Sequence, residues 1–110
     1  MTLKKISPKE LYEKMKQEKV TLLDVRAEEK YKTYHIEDCN IESLNIPKTS
    51  IYSQTFEDAA VSLPKEKEII VACTTGNSAS KCAEILSEKE YNAIVLDGGI
   101  TAWMEYIKTK

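Results

Sequence analysis

In the stretch "IIVACTTGNSASKCAEIL", residues 69–86, a β-branched apolar run ends in a cysteine, Cys73, and a helical pattern starts within a few residues. Thr74, Thr75, Gly76, Asn77, Ser78 and Ala79 carry the chain across the junction. Gly76 admits backbone conformations closed to other residues, and Asn77 tolerates them well. The first N–H groups of the following helix have no intrahelical partner. A loop wrapped around them forms an anion cradle. A thiol held there ionises more readily, because a helix N-terminus favours the thiolate. The same amides suit the negative charge of a persulfide. The bland alternative is a small apolar residue closing a strand, since buried free cysteines are common.

Few other residues can assist such a thiol. His35 is the only histidine and Arg26 the only arginine. A Cys–His dyad would have to use His35, but no third orienting group stands in a recognisable setting, so a polar scaffold histidine is expected. Asp24 and Arg26 follow a buried strand. Arg26 as an anion clamp competes with an ion pair to Glu28 or Glu29, or a hydrogen-bonded brace between loops; the structural role is expected. Cys39, Cys73, Cys82 and His35 lack the paired C-x2-C knuckle of structural zinc sites, so no metal is expected. Cys39 offers a second thiol that could resolve a Cys73 persulfide into a disulfide.

The elements that must position Cys73 alternate between strands and helices. "ISPKELYEKMKQ" has Ser7 as N-cap and Pro8 at the first helical position, with Leu11, Met15 and Tyr12 on one face. "VTLLDV", residues 20–25, reads as a strand buried on both faces. "RAEEKYKTYHI" reads as a short polar helix and "NIESLNIP" as a strand ending at Pro47. Residues 48–64 are the least readable, with one helix expected in "SQTFEDAAVSL". "EIIVAC" and "NAIVLD" are strands. "SASKCAEILSEKEY" puts Ala79, Cys82, Ala83 and Leu86 on one helical stripe. "GGITAWMEYI" is the last helix, offering Trp103, Tyr106 and Ile107 for packing, with Gly98 and Gly99 as a tight turn before it. This alternation implies βαβ units and a parallel sheet covered on both faces. Asp24, Cys73 and Asp97 then share the carboxyl edge of the sheet, where open α/β folds place their ligands.

The bulk properties agree with one domain over residues 1–110. The chain is 42% hydrophobic and 31% charged, with a net charge of -2. That balance supplies no field for nucleic acid or an anionic membrane. The apolar runs are too short to span a bilayer, and "MTLKKISPKE" has no apolar segment behind its lysines. Three irregularly spaced cysteines fit a reducing compartment. A cytoplasmic monomer without cofactor is expected.

"CTTGNSA", a helix, and then "LDGGITAW" together resemble the active-site loop and C-terminal signature of the rhodanese (sulfurtransferase) family. "DVRAEEKYKTYHI" and "NIP" resemble the upstream stretch of the same family. These pieces run from Asp24 to Trp103 in the family's order. The resemblance implies an α/β, three-layer rhodanese-like fold, with a central, mostly parallel sheet of about five strands and helices on both faces. It implies Cys73 as a sulfur carrier, residues 74–79 as the persulfide-binding loop, and Asp24, Arg26 and His35 as structural support near the site. The partners it implies are a small thiosulfate- or persulfide-type donor and a thiophilic acceptor: cyanide, a thiol or another sulfur-carrier protein.

Three departures bear on the substrate. Many family members that use thiosulfate carry a basic residue in the loop, at the position of Ser78 or of Thr74; both are neutral here. The segment "EDCNIESL" is longer than usual for the family, and Tyr34 stands where a glycine often precedes the histidine. Thiosulfate is therefore expected to be a poor donor, with only backbone amides to offset its charge. Two other functions compete. A phosphatase or arsenate reductase needs an arginine six positions after the cysteine, where this chain has Ala79. A non-catalytic binding module or partner-dependent sulfur relay would keep the fold without turnover on small donors.

Overall fold

The computed structural model of the protein describes residues 4–52 and 67–109. In chain order the elements are β1 (Lys4–Ile6), α1 (Pro8–Gln17), β2 (Val20–Asp24), α2 (Glu28–Thr33), β3 (Ile41–Asn45), α3 (Lys48–Tyr52), β4 (Glu68–Ala72), α4 (Asn77–Glu88), β5 (Asn92–Leu96) and α5 (Gly99–Ile107). The strands form one sheet in the order β1-β5-β4-β2-β3. Every pairing in it is parallel. The expected α/β architecture of five strands is the observed one. The helix expected in "SQTFEDAAVSL" lies outside the described residues.

Side chains of successive strand residues point to opposite faces, and the core divides accordingly. On one face Leu23, Val25, Ile69, Val71, Ala93 and Val95 pack against Ile51 of α3 and the Ala79–Cys82–Ala83–Leu86 stripe of α4. On the other, Val20, Leu22, Ile70, Ala72, Ile94 and Leu96 pack against Leu11 and Met15 of α1 and Ile100 and Trp103 of α5. The central strands β2 and β4 are covered twice, which explains why they are largely apolar and almost wholly buried. α2 buries no residue, as its polar sequence requires. No helix among the described residues is long and apolar enough to cross a membrane.

Two elements go beyond the sequence pattern. β1 has two exposed lysines and one buried isoleucine; three residues at a sheet edge carry no readable alternation, and edge lysines discourage pairing with other chains. α3 has five residues, one of them buried, which is too short for a helical period to register. The segment "EDCNIESL" makes a turn, closed by an Asp38–Ile41 bridge, and then most of β3.

The start of α1 follows the cap chemistry of its sequence. The Glu10 N–H donates to Ser7 Oγ and the Ser7 N–H donates to Glu10 Oε1, each at 3.1 Å. This reciprocal pair satisfies two backbone donors that a helix start otherwise leaves to water. Ser7→Ala is expected to lower global stability by about 1 kcal/mol, measured by urea denaturation.

Candidate active site

Cys73 is the first residue after β4, only 5% exposed. The loop after it turns back beneath the thiol. The Gly76 N–H donates to Cys73 Sγ at 2.9 Å, and the Ala79 N–H donates to it at 3.3 Å. Gly76 is the N-cap of α4 and holds φ at +105°, a left-handed conformation that side chains disfavour. The sulfur thus sits on two backbone N–H groups at the start of a twelve-residue helix, where partial positive charge collects.

A second helix start fixes this loop from outside. The Ile100 N–H donates to the Cys73 carbonyl at 2.8 Å, and the Thr101 N–H to the Thr74 carbonyl at 3.1 Å. These are first-turn amides of α5, so the "GGITAW" segment gives its unpartnered donors to the thiol loop. Close approach is essential. A Cβ on Gly99 would lie 2.4 Å from the Cys73 carbonyl oxygen and 2.7 Å from the Thr74 carbonyl carbon, and Gly99 holds φ at +64°.

The thiol opens onto a pocket of about 220 Å³, lined by Thr74, Thr75 and Ser78 of the loop, by Val25, Arg26 and Ala27 after β2, and by Lys30 and Lys48. Gly76 and Ala79 contribute their N–H groups to the sulfur. Asn77 opens α4, exposed, and does not line the pocket.

Arg26 borders the pocket but its guanidinium is engaged. Nε bonds both oxygens of the buried Asp24 carboxylate at 3.0 Å and Nη2 bonds Asp24 Oδ2 at 2.7 Å; Nη2 also donates to the Tyr34 carbonyl. The Arg26 N–H donates to the same carboxylate. Asn45 Nδ2 joins the Asp24 and Arg26 carbonyls. The brace between loops is present, whereas the pairing of Arg26 with Glu28 or Glu29 is not: Glu28 pairs with Lys32, and a carboxylate two residues before Arg26 offers a bidentate geometry.

His35 stands apart. Its ring stacks on Tyr31 at 4.1 Å, Nδ1 donates to the Tyr31 carbonyl at 2.8 Å, and Nε2 lies 3.4 Å from Glu37. It lines a separate groove, none of whose lining residues borders the thiol pocket. The disulfide with Cys73 for which the sequence offers Cys39 is blocked by topology. Cys39 lies just before β3, at the amino edge of the parallel sheet, while Cys73 lies at the carboxyl edge. A five-residue strand separates those edges by about 16 Å, and a disulfide needs Cα atoms within about 7 Å. Among the described residues no three His, Cys, Asp or Glu side chains gather as a metal site.

Sequence reasoning missed Lys30 and Lys48. The sequence places only backbone amides at the thiol, whereas Lys30 and Lys48 also line the pocket beside it. Nothing local marks them: Lys30 lies on a helix that reads as solvated, and Lys48 opens the helix that the pattern does not announce.

A family model described as "Rhodanese-like domain" matches residues 7–106, and the chain belongs to this family. It is similar to the thiosulfate sulfurtransferase GlpE of Coxiella burnetii, 30% identical over 110 residues, covering 99% of this chain and 94% of that one. It is also similar to the tRNA uridine(34) hydroxylase of Chlamydia caviae, 30% identical over 96% of this chain, of which it spans only 32%. Among solved structures, a rhodanese-related protein from Thermoplasma volcanium superimposes with a TM-score of 0.76 at 30% identity, covering 94% of this chain and 92% of that one.

Two outcomes are expected from this geometry. Gly99→Ala strains a positive φ and drives a methyl group into the Cys73 carbonyl, so urea denaturation should show a loss of about 2–4 kcal/mol. The second concerns Cys82. Burial pushes its thiol up to about 12, with the nearby Cys73 adding to the rise and Lys48 opposing it. The folded chain keeps this proton above pH 9, where the unfolded chain releases it. Its contribution to stability is therefore complete below pH 9 and is lost as pH rises towards 12. Denaturation across that range should show the decline, and Cys82→Ala should flatten it.

Proposed function

We propose that this protein is a sulfurtransferase that carries sulfane sulfur as a persulfide on Cys73. The observation that carries the proposal is the pair of backbone N–H groups on Cys73 Sγ at the mouth of an open pocket. The similarity to a thiosulfate sulfurtransferase over nearly the whole of both chains supports it.

The chemistry divides into two displacements. The Cys73 thiolate attacks the outer sulfur of a sulfane donor. The donor's S–S bond breaks, and its remainder leaves with the electron pair; from thiosulfate the leaving group is sulfite. The new persulfide carries its negative charge on the outer sulfur. A thiophilic acceptor, cyanide or a thiolate, then attacks that sulfur and releases the Cys73 thiolate. In both steps charge moves across sulfur atoms beside fixed N–H dipoles. Such preorganised donors stabilise developing charge at no reorganisation cost. Thr74, Thr75 and Ser78 shape the approach, Gly76 and Ala79 supply the amides, and Asn77 starts the helix that aligns them. Asp24 and Arg26 hold the facing wall. His35, in this reading, braces α2 and takes no part in the transfer. The phosphatase reading lacks its cation: Ala79 presents a methyl group where that chemistry needs arginine. The protein acts on small donors in the cytoplasm, passing sulfur to a small thiol or to a sulfur-carrier protein.

Intact mass spectrometry tests the proposal. After incubation with thiosulfate, or separately with a small-molecule persulfide, the native chain should gain one sulfur atom that cyanide or a reductant removes. Cys73→Ser should gain none, although it retains Cys39 and Cys82. A native chain that stays unmodified by both donors would defeat the enzyme reading and favour a partner-dependent relay or a binding module.

A further inference from the structure

Three cationic side chains border the Cys73 pocket: Arg26, Lys30 and Lys48. They differ in what already neutralises them. The Arg26 guanidinium is spent on the buried Asp24 carboxylate, 2.7 Å away. Among the described residues, Lys30 and Lys48 have no carboxylate partner, although two other lysines do: Lys32 pairs with Glu28, and Lys14 with Glu18 and Glu68. The chain as a whole carries a net charge of -2, yet the wall of this pocket carries two lysines without a carboxylate partner among the described residues.

The two lysines come from separate elements that the fold brings together. Lys30 lies on α2, directly after the turn that follows β2. Lys48 opens α3, and its N–H donates to the Val25 carbonyl at 2.9 Å. Val25 in turn donates to the Ala72 carbonyl at 2.9 Å, next to Cys73. The backbone of Lys48 is thereby tied to the sheet edge that presents the thiol. The Lys48 ammonium lies near enough to Cys82, packed beneath the loop, to oppose the rise that burial causes there. The loop itself offers no cation, with Thr74 and Ser78 neutral.

Resting on the sulfurtransferase reading, we propose that Lys48, together with Lys30, is the donor-binding pair that selects small dianionic sulfane donors, holding the sulfonate end of a thiosulfate-type molecule while its outer sulfur meets Cys73. Two ammonium groups match a charge of two on the donor. They also suit the leaving group, because the sulfite dianion departs with the electron pair of the broken S–S bond: thiolate plus thiosulfate gives persulfide plus sulfite, three negative charges on each side. The basic function that a loop residue would serve is moved to the wall of the pocket.

The test compares two donors with the same transferable sulfur and different charge. Methanethiosulfonate is a monoanion that leaves as methanesulfinate; thiosulfate is a dianion. With cyanide as acceptor, Lys30→Gln and Lys48→Gln should each raise the KM for thiosulfate about fivefold, and the double variant more than about tenfold, as expected for lost charge-assisted contacts at a partly exposed site. The KM for methanethiosulfonate should rise less than half as much, and kcat should change little. Lys48→Arg should restore most of the thiosulfate affinity. Added salt should weaken thiosulfate in the native chain more than in the double variant. An unchanged thiosulfate KM in the double variant, or an equal loss for both donors, would overturn the pair. A second arm needs no turnover. In Cys73→Ser, sulfate should shift the backbone amide resonances of residues 74–79, and adding the two Lys→Gln changes should abolish that shift. Sulfate shifts retained without the lysines, or none with them, would overturn the proposal. A native chain that binds sulfate but takes sulfur from neither donor would sink the sulfurtransferase reading alone.

Discussion

The carbonyl oxygens of Cys73 and Thr74 are held by the first-turn amides of α5, and the thiol site depends on that contact. In a trans peptide the C=O and the following N–H point in opposite directions. The described chain has no cis peptide bond. Fixing the two carbonyls on α5 therefore turns the N–H groups of Thr74 and Thr75 away from it, and the chain continues into the left-handed Gly76. From there the Gly76 and Ala79 amides reach Sγ. Two helix starts cooperate: α5 gives its donors to the loop's carbonyls, and α4 gives its donors to the sulfur. The glycine at position 99 is what lets the two backbones come this close.

The opposite wall rests on a buried carboxylate. Asp24 has no exposure, and an unpaired charge there would be costly. It is compensated by the guanidinium and backbone N–H of Arg26 and sits in a brace closed by Asn45. Breaking one partner of such a pair strands the other, so the only arginine of the chain serves the fold. The pocket cations without a carboxylate partner among the described residues are then Lys30 of α2 and Lys48 of α3.

The parallel sheet gives every residue near a strand terminus a polarity. Cys73, Asp24 and Asp97 follow or end strands that run the same way, so they share one edge. Cys39 precedes its strand and lies at the other edge. Cys82 sits between α4 and the sheet, in the core, where burial keeps its thiol protonated. The three cysteines are thus a nucleophile candidate, a remote surface thiol and a core filler, and their distance from helix starts and solvent separates those roles.

Much of this architecture is legible in the order of residues. The buried strands 20–25 and 69–72 declare themselves by short runs rich in β-branched residues and leucine, α1 by its Ser7–Pro8–Glu10 cap, and α4 by its four-residue stripe, because each signal is local. The thiol loop is legible for the same reason: a strand, a cysteine, a glycine and a helix start are adjacent in sequence. What the sequence alone determined is therefore the α/β order of elements and the identity of Cys73 and its loop. Tertiary structure alone decided what surrounds them. Lys30 and Lys48 are two lysines among many until β2 brings α2 and α3 to the edge of β4. The partner of Arg26 is a choice among nearby carboxylates until burial of Asp24 settles it. Cys39 is excluded from the thiol site by a strand's length. Short-range patterns fix elements, whereas the company a side chain keeps is set by pairing between segments far apart in the chain.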